Sequence, residues 1–202
     1  MKLQLPDWLR PLLGSELLWR VRRPEKKIYL TFDDGPVPEV TPQVLALLDR
    51  YGWKATFFCV GENVAKHPEL YRRLQKEGHQ VGNHSYNHVR GFRYSDADYV
   101  ANVDKARLYI DSKLFRPPHG ELRRSQAALL KKDFTIVMWD LITYDYDAAM
   151  EADNILKLIK KNLRPGSIVV FHDSIKAQKN VLQVLPKALE YWTEQGYSFG
   201  VL

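Results

Sequence analysis

Thr31-Phe32-Asp33-Asp34-Gly35-Pro36 follows the apolar run Ile28-Tyr29-Leu30 and sets two carboxylates side by side where a buried strand ends. Neighbouring side chains on a strand point to opposite faces. Both carboxylates therefore reach one cleft only if the chain turns at Asp34-Gly35-Pro36. Two like charges in one cleft repel each other, and a cation between them relieves that repulsion. Taken alone, the six residues also read as a strand closed by an Asp-Gly-Pro turn, which needs no function.

Working outward, the pattern of strand followed by helix recurs. Segments 55–60, 80–83, 114–116, 135–139, 167–171 and 197–201 read as further strands. Between them, Thr41-Pro42 starts a helix with apolar Val44, Leu45, Leu47 and Leu48 that Gly52 stops, and residues 68–77 form a second ended by Gly78. Ser95 with Asp98 three residues on resembles a capping box for a helix reaching about Asp111. Helices are also expected over 125–132 and 152–163, and a last one contains Pro186, so it should kink or begin late. Such alternation implies parallel strands joined by right-handed crossovers. About seven units fit an α/β barrel better than an open sheet with uncovered edges.

With 202 residues, 45% of them hydrophobic, and no linker-like stretch, the chain reads as one catalytic domain over 26–202 preceded by an extension over 1–25. The net charge of +6 comes from scattered pairs such as Arg72-Arg73 and Lys160-Lys161, and no nucleic-acid-binding signature accompanies them, so no nucleic-acid partner is expected. Cys59, the single cysteine, lies in an apolar run and reads as a buried inert thiol. The extension carries Trp8, Leu9, Leu12, Leu13, Leu17, Leu18 and Trp19, interrupted by charges and Pro11, which is neither a signal-peptide core nor a membrane span. With Arg20, Arg22 and Arg23 at its end, it suits either packing on the outside of the domain or contact with an anionic membrane surface. A cytoplasmic, membrane-associated location is the corresponding expectation.

The unusual polar residues gather where strands end: Asp33-Asp34 after the first, His84 and His88 after the third, Arg116 in the fourth, Asp140 and Asp145 after the fifth, His172-Asp173 after the sixth. In a parallel barrel those ends converge on one mouth. His84 and His88 are four apart, so one helical turn would aim both at one ion. Joined to Asp34 they offer two nitrogens and one oxygen with coordination positions left open, a donor set that suits catalytic zinc and equally non-haem iron. Arg116 precedes Pro117-Pro118, which stiffen the turn, aim the guanidinium at a carboxylate and present the backbone amide of His119 as an oxyanion donor; a solvated arginine on a surface turn is the plain reading. His172 ends an apolar strand as a proton donor or as a core histidine bonded to backbone. The stretch from Trp139 to Tyr146 brings aromatic walls and a carboxylate to orient it.

These stretches, in this order, closely resemble the polysaccharide deacetylase family, the family 4 carbohydrate esterases that include chitin-oligosaccharide and peptidoglycan deacetylases. The resemblance runs from Lys27 to about Leu202 and takes in all five motifs. It implies a distorted parallel β/α barrel, a divalent metal that is commonly zinc, and hydrolysis of N- or O-acetyl groups on sugars such as N-acetylglucosamine. Carried over by motif, Asp33 is the general base, and Asp34, His84 and His88 hold the metal. Arg116 positions Asp33, His172 is the general acid with Asp145 as its partner, and His119, Trp139, Tyr146 and Val170 meet the substrate. Two positions depart: His119 stands where the family usually has Tyr or Phe, and Tyr146 where Trp is frequent, which reshapes the pocket for acetyl group and sugar.

Other readings are a deacylase or deformylase of a lipid-linked sugar, a non-catalytic sugar-binding member of the fold, and an iron oxygenase. The oxygenase leaves Asp33, Arg116 and His172 without roles, and mere sugar binding needs neither a base nor an acid.

Overall fold

The computed structural model describes residues 4, 6–14, 16–22 and 25–202. Residues 1–3, 5, 15, 23 and 24 of the expected extension, Arg23 among them, lie outside the described residues. Strand β1 (Leu17–Leu18) follows a short helix α1 (Arg10–Leu13). The strands β2 (Lys27–Asp33), β3 (Thr56–Cys59), β4 (Gln80–Asn83), β5 (Leu114–Phe115), β6 (Thr135–Val137), β7 (Leu141–Ile142), β8 (Ile168–His172) and β9 (Ser198–Phe199) come next in chain order. Helices α2 (Thr41–Arg50), α3 (Gly61–Lys66), α4 (Pro68–Lys76), α5 (Asp96–Arg107), α6 (Arg124–Leu130), α7 (Ala152–Asn162) and α8 (Gln178–Glu194) lie between them.

All strand pairs are parallel, in the order β1-β6-β5-β4-β3-β2-β8-β7, with β9 beside the start of β2. β2 is central and buried from Ile28 to Asp33, and, as suits a parallel strand covered on both faces, that stretch is apolar apart from Thr31 and Asp33. β6 and β7 are parts of one run separated by residues 138–140. Its start borders β5 and its end borders β8, so the sheet curls into a distorted β/α barrel.

Where that run leaves β5 for β8, the segment before β2 fills the gap. Leu17 and Leu18 pair with Ile136 and Val137, Arg20 bridges Ser167, and the Val21 amide donates to Gly166 O at 3.0 Å. The stretch expected as an extension thus supplies an edge strand. Trp19 packs edge-on against Trp139 at 6.5 Å between centroids, while Trp8 and Leu12 stay exposed. Asp140 belongs to this junction rather than to the mouth. Its amide donates to Ile168 O at 3.0 Å, at the opposite end of β8 from His172. Its buried carboxylate accepts bonds from Arg10, from Arg164 Nη2 at 2.6 Å and from Ser167 Oγ at 2.7 Å.

The seven expected strands are present; β1 and β7 add to them, each too short to show a periodicity. Ser95 caps α5 by accepting the Asp98 amide at 3.1 Å. The last helix does not begin late: it runs from Gln178 through Pro186 to Glu194, with Val181, Val184, Leu185, Ala188, Leu189 and Trp192 as one buried stripe. Among the described residues no helix is long and apolar enough to cross a membrane.

Candidate metal and catalytic centre

Parallel pairing in register puts Asp33 beside Phe58 on one side and His172 on the other, at the carboxyl ends of all three strands. Asp33 is 5% exposed and receives Arg116 Nη1 on Oδ1 at 2.6 Å. Arg116 is wholly buried. It also donates to Thr31 Oγ1 at 2.8 Å and to the carbonyls of Val137 at 3.3 Å and Met138 at 3.0 Å, so its guanidinium has one available geometry. The plain reading of Arg116 as a solvated turn residue is excluded.

The turn that brings Asp34 alongside is clamped from several directions. Asp34 sits at φ 82°, a left-handed conformation uncommon for a residue with a side chain. The Gly35 amide donates to Asp173 Oδ1 at 3.0 Å, Asn63 Nδ2 to Asp34 O at 2.8 Å, and the Val60 amide to Gly35 O at 2.9 Å. Thr41 Oγ1 donates to the other oxygen of Asp173 at 2.6 Å while accepting the Val37 amide at 2.7 Å. Only glycine fits at 35, because a Cβ there would lie 2.0 Å from Asp173 Oδ2. Burial, together with the nearby Asp34 charge, pushes Asp173 up to about 7. The motif reading gave Asp173 no part; its signal, a carboxylate following His172, shows a purpose only once residues 35 and 173 are in contact.

His84 and His88 do not share a helical turn. They lie in a loop after β4 in which Ser85 and His88 are left-handed, with φ of 62° and 54°. Asn83 Oδ1 accepts the Ser85 amide at 2.8 Å and Asn102 Oδ1 the Tyr86 amide at 2.9 Å, which replaces the hydrogen bonds of a helix. His84 Nδ1 lies 2.8 Å from Arg116 O, and a carbonyl only accepts, so Nδ1 carries the proton and Nε2 faces the centre. Nε2 is 3.7 Å from Asp34 Oδ1, to which His88 Nε2 approaches at 3.1 Å. One donor atom from each of Asp34, His84 and His88 falls within 4.8 Å of the others, so the three fit a single ion. The titration of His84 and of Asp34 suits ligation. Burial, against the pull of Asp33, pushes His84 down to about 4 and keeps it neutral. Burial disfavours the Asp34 charge, yet the His88 hydrogen bond and the His172 and His84 rings hold it well below the usual carboxylate range.

Across from this cluster, His172 Nδ1 meets Asp145 Oδ1 at 2.7 Å, and the His172 amide donates to Asp145 Oδ2 at 2.8 Å. Thr143 Oγ1 lies 3.0 Å from Asp145 Oδ1, and Asn180 Nδ2 donates to Asp145 O at 3.0 Å. Burial would lower the His172 pKa, but Asp145, reinforced by Asp34 and Asp33, raises it to about 9.

A cavity of about 630 Å³ holds these groups together: Asp33, Asp34, His84, His88 and His172 line it, with His119, Trp139 and Tyr146 among its walls. Arg90, Tyr144, Ser174 and Lys176 also line it and were not singled out in the sequence. Trp139 closes down on Gly120, where a Cβ would stand 2.6 Å from its ring. Val170, expected at the substrate, does not line this cavity. Two residues before His172 on the same face, it lies a layer deeper in β8, is fully buried, and gives its carbonyl to Thr143.

The family model described as polysaccharide deacetylase matches residues 20–137. The chain belongs to the polysaccharide deacetylase family. A peptidoglycan-N-acetylglucosamine deacetylase of Bacillus cereus is 35% identical over 188 residues, covering 90% of this chain and 88% of that protein. A chitooligosaccharide deacetylase of Azorhizobium caulinodans is 32% identical, covering 76% of this chain and 77% of the other. Among solved structures, a peptidoglycan N-acetylglucosamine deacetylase in complex with 4-naphthalen-1-yl-N-oxidanyl-benzamide superposes with a TM-score of 0.90 at 29% identity, over 98% of this chain and 95% of that one. Metal dependence is general in this family, and Asp34, His84 and His88 are the described residues whose geometry accommodates an ion.

Proposed function

We propose that the chain is a zinc-dependent deacetylase that hydrolyses the N-acetyl group of N-acetylglucosamine residues in a glycan. One observation carries this: a candidate base, Asp33, and a candidate acid, His172, end adjacent paired strands and border the same cavity as the three metal-binding side chains. Two imidazoles and one carboxylate suit zinc in an open catalytic site. Asp34, His84 and His88 would hold a divalent ion, which would supply Lewis acidity toward the acetamide carbonyl and water.

The chain's own residues do the rest. Asp33, with one oxygen tied to Arg116 and the other 4.0 Å from His84 Nε2, takes the proton of the water that attacks the carbonyl carbon. Pro117 and Pro118 have no N–H, so the first amide after Arg116 is that of His119, which donates to the developing oxyanion. His172, kept protonated at neutral pH by Asp145, gives its proton to the amine nitrogen as the carbon–nitrogen bond breaks, leaving acetate and a free amine. The names of the relatives, which act on peptidoglycan and on chitooligosaccharides, support the choice of sugar.

Acetate release from N-acetylglucosamine oligomers tests the reading. The zinc-reconstituted protein should release acetate, lose that activity on chelation and regain it with added zinc. A metal-replete protein that binds such oligomers but releases no acetate would leave a sugar-binding module in place of an enzyme.

A further inference from the structure

The chain ahead of β1 reverses the usual arrangement of an amphipathic helix. Over residues 6–13 it makes consecutive helical turns, the Leu9 amide donating to Pro6 O at 3.0 Å and the Leu12 amide to Leu9 O at 3.1 Å. Residues three or four apart in such turns share a side. Asp7 and Arg10, three apart, form the inward side. Arg10 is 6% exposed and bonds the buried carboxylate of Asp140, while Asp7 receives Arg164 Nη2 at 2.7 Å and lies 3.2 Å from Arg10 Nη1. Trp8 and Leu12, four apart, form the other side and are 73% and 60% exposed. Helices on a domain surface ordinarily bury the apolar side and leave the charges in water. Here the charges are spent inward and the large apolar side chains meet solvent.

Cations flank this apolar side at both ends. Arg124, on α6, donates to Leu12 O at 2.7 Å, and Arg22, its side chain 73% exposed, comes within 3.9 Å of Asp7, the neighbour of Trp8. In the junction beneath, Arg10, Arg20 and Arg164 meet two carboxylates, Asp7 and Asp140, so positive charge is in surplus there; the exposed acid of the segment that opposes it is Glu16. Exposed tryptophan and leucine beside arginines suit the headgroup region of an anionic bilayer. A second copy of the chain fits less well. One tryptophan and one leucine offer no more than a few hundred Å², well under the roughly 800 Å² per partner of a stable interface. A bilayer has no such threshold, since it takes up side chains singly and adds the attraction of each arginine.

We infer that Trp8 and Leu12, with Arg22 and Arg124 beside them, seat the protein on an anionic lipid surface. The pairing of Leu17 and Leu18 with β6 and the inward bonds of Asp7 and Arg10 hold the segment on the domain, so the contact is made by the folded protein without releasing it. None of the four side chains lines the catalytic cavity, which makes lipid binding and turnover separable.

Co-sedimentation of the zinc-loaded full chain with phosphatidylcholine vesicles containing about 30% phosphatidylglycerol tests this at low ionic strength. The protein should sediment with them, dissociate at about 0.5 M salt, where surface charges are screened, and bind poorly to phosphatidylcholine alone. Trp8→Gln with Leu12→Gln should weaken the partition by about tenfold or more, and Arg22→Gln by about fivefold. Because Trp8 and Leu12 are exposed, the glutamine variant should keep its melting temperature and its acetate release from soluble oligomers. Brominated acyl chains, used on the unsubstituted protein and on Trp8→Phe, give a second measurement that does not depend on that variant folding: they should quench part of the tryptophan emission of the first and spare the second. Absent sedimentation with the anionic vesicles, equal binding by a folded glutamine variant, or equal quenching in Trp8→Phe overturns the inference. So does a concentration-dependent dimer that the glutamine variant loses, which would assign the face to a second copy of the chain.

Discussion

Asp33→Asn should yield a folded, metal-loaded protein slowed by about 10²- to 10⁴-fold, whereas Asp34→Asn, one residue on, should lose affinity for the metal itself. The exchange at 33 is isosteric and opens no cavity. An asparagine oxygen can still accept Arg116 Nη1, which now lies 2.6 Å from Asp33 Oδ1, so what disappears is the anion facing a fully buried guanidinium. Hydrogen bonds to charged groups contribute about 1.5 to 3 kcal/mol, and the remaining bonds of Arg116 to Thr31, Val137 and Met138 hold it in place. A cost of that size is well inside the roughly 5 to 15 kcal/mol stability of a domain. The rate loss corresponds to about 2.7 to 5.4 kcal/mol in the barrier. Asp34, by contrast, makes no contact with Arg116 and lies 3.1 Å from His88 Nε2, so its amide variant removes the anionic donor of the cluster. Metal content, melting temperature and turnover, followed for both variants across a zinc titration, separate the two roles. Added zinc should partly restore Asp34→Asn and leave Asp33→Asn unmoved. If both variants behave alike, or if zinc rescues Asp33→Asn, the division of work between the carboxylates is wrong.

Other perturbations read other parts of the structure. His79 is buried and accepts the Ala55 amide on Nδ1 at 3.2 Å; burial, with Lys54 nearby, pushes it down to about 4. Between about pH 6.5 and 4 the unfolded chain therefore binds a proton that the folded one refuses, so stability falls as pH falls through this window, by at most about 3 kcal/mol from this group; melting curves of His79→Asn, which keeps an acceptor, should show a shallower slope there. Asp145→Asn removes the main charge holding His172 up at about 9 against burial, so the alkaline limb of kcat/KM, where the acid form is lost, should move to lower pH; an unmoved limb would exclude His172 as the group titrating there. Asp173→Ala frees the Gly35 amide and Thr41, and should weaken zinc binding as measured by chelator competition, with Asp173→Asn intermediate because one acceptor remains. Removing residues 1–20 takes away β1, the Arg10 partner of Asp140 and the Trp19 support of Trp139, so it should lower both the melting temperature and turnover of small substrates; unchanged values would show that the junction is dispensable.

Much of this architecture was legible in the chain because its signals are local. Apolar runs of four or more residues, helix starts at Thr41-Pro42 and Pro68, stops at Gly52 and Gly78, and the Ser95 cap each involve neighbours in sequence. The grouping of polar residues at strand ends followed from the same alternation. Asp33, Asp34, His84, His88, Arg116, Asp145 and His172 do converge. Asp140 was misplaced because spacing alone does not tell at which strand end a residue falls when one run of chain serves two neighbours. Val170 lies buried outside the cavity lining, a depth within the barrel that a motif position does not reveal.

The sequence by itself determined the alternation of strand and helix, the parallel barrel that follows from it, and the chemical types of the groups gathered at the mouth. Only the tertiary structure decided that Leu17–Leu18 closes the sheet against β6, that residues 135–142 border both β5 and β8, and that Asp173 clamps Gly35 from 138 positions away. It likewise decided that His84 and His88 meet through left-handed turns tied to Asn83 and Asn102 instead of through a helix. The physical reason is range. Periodicity and capping record what a residue does to its near neighbours, whereas a two-residue strand, a buried carboxylate clamp or a loop in an uncommon conformation is stable only because distant segments supply its hydrogen-bond partners.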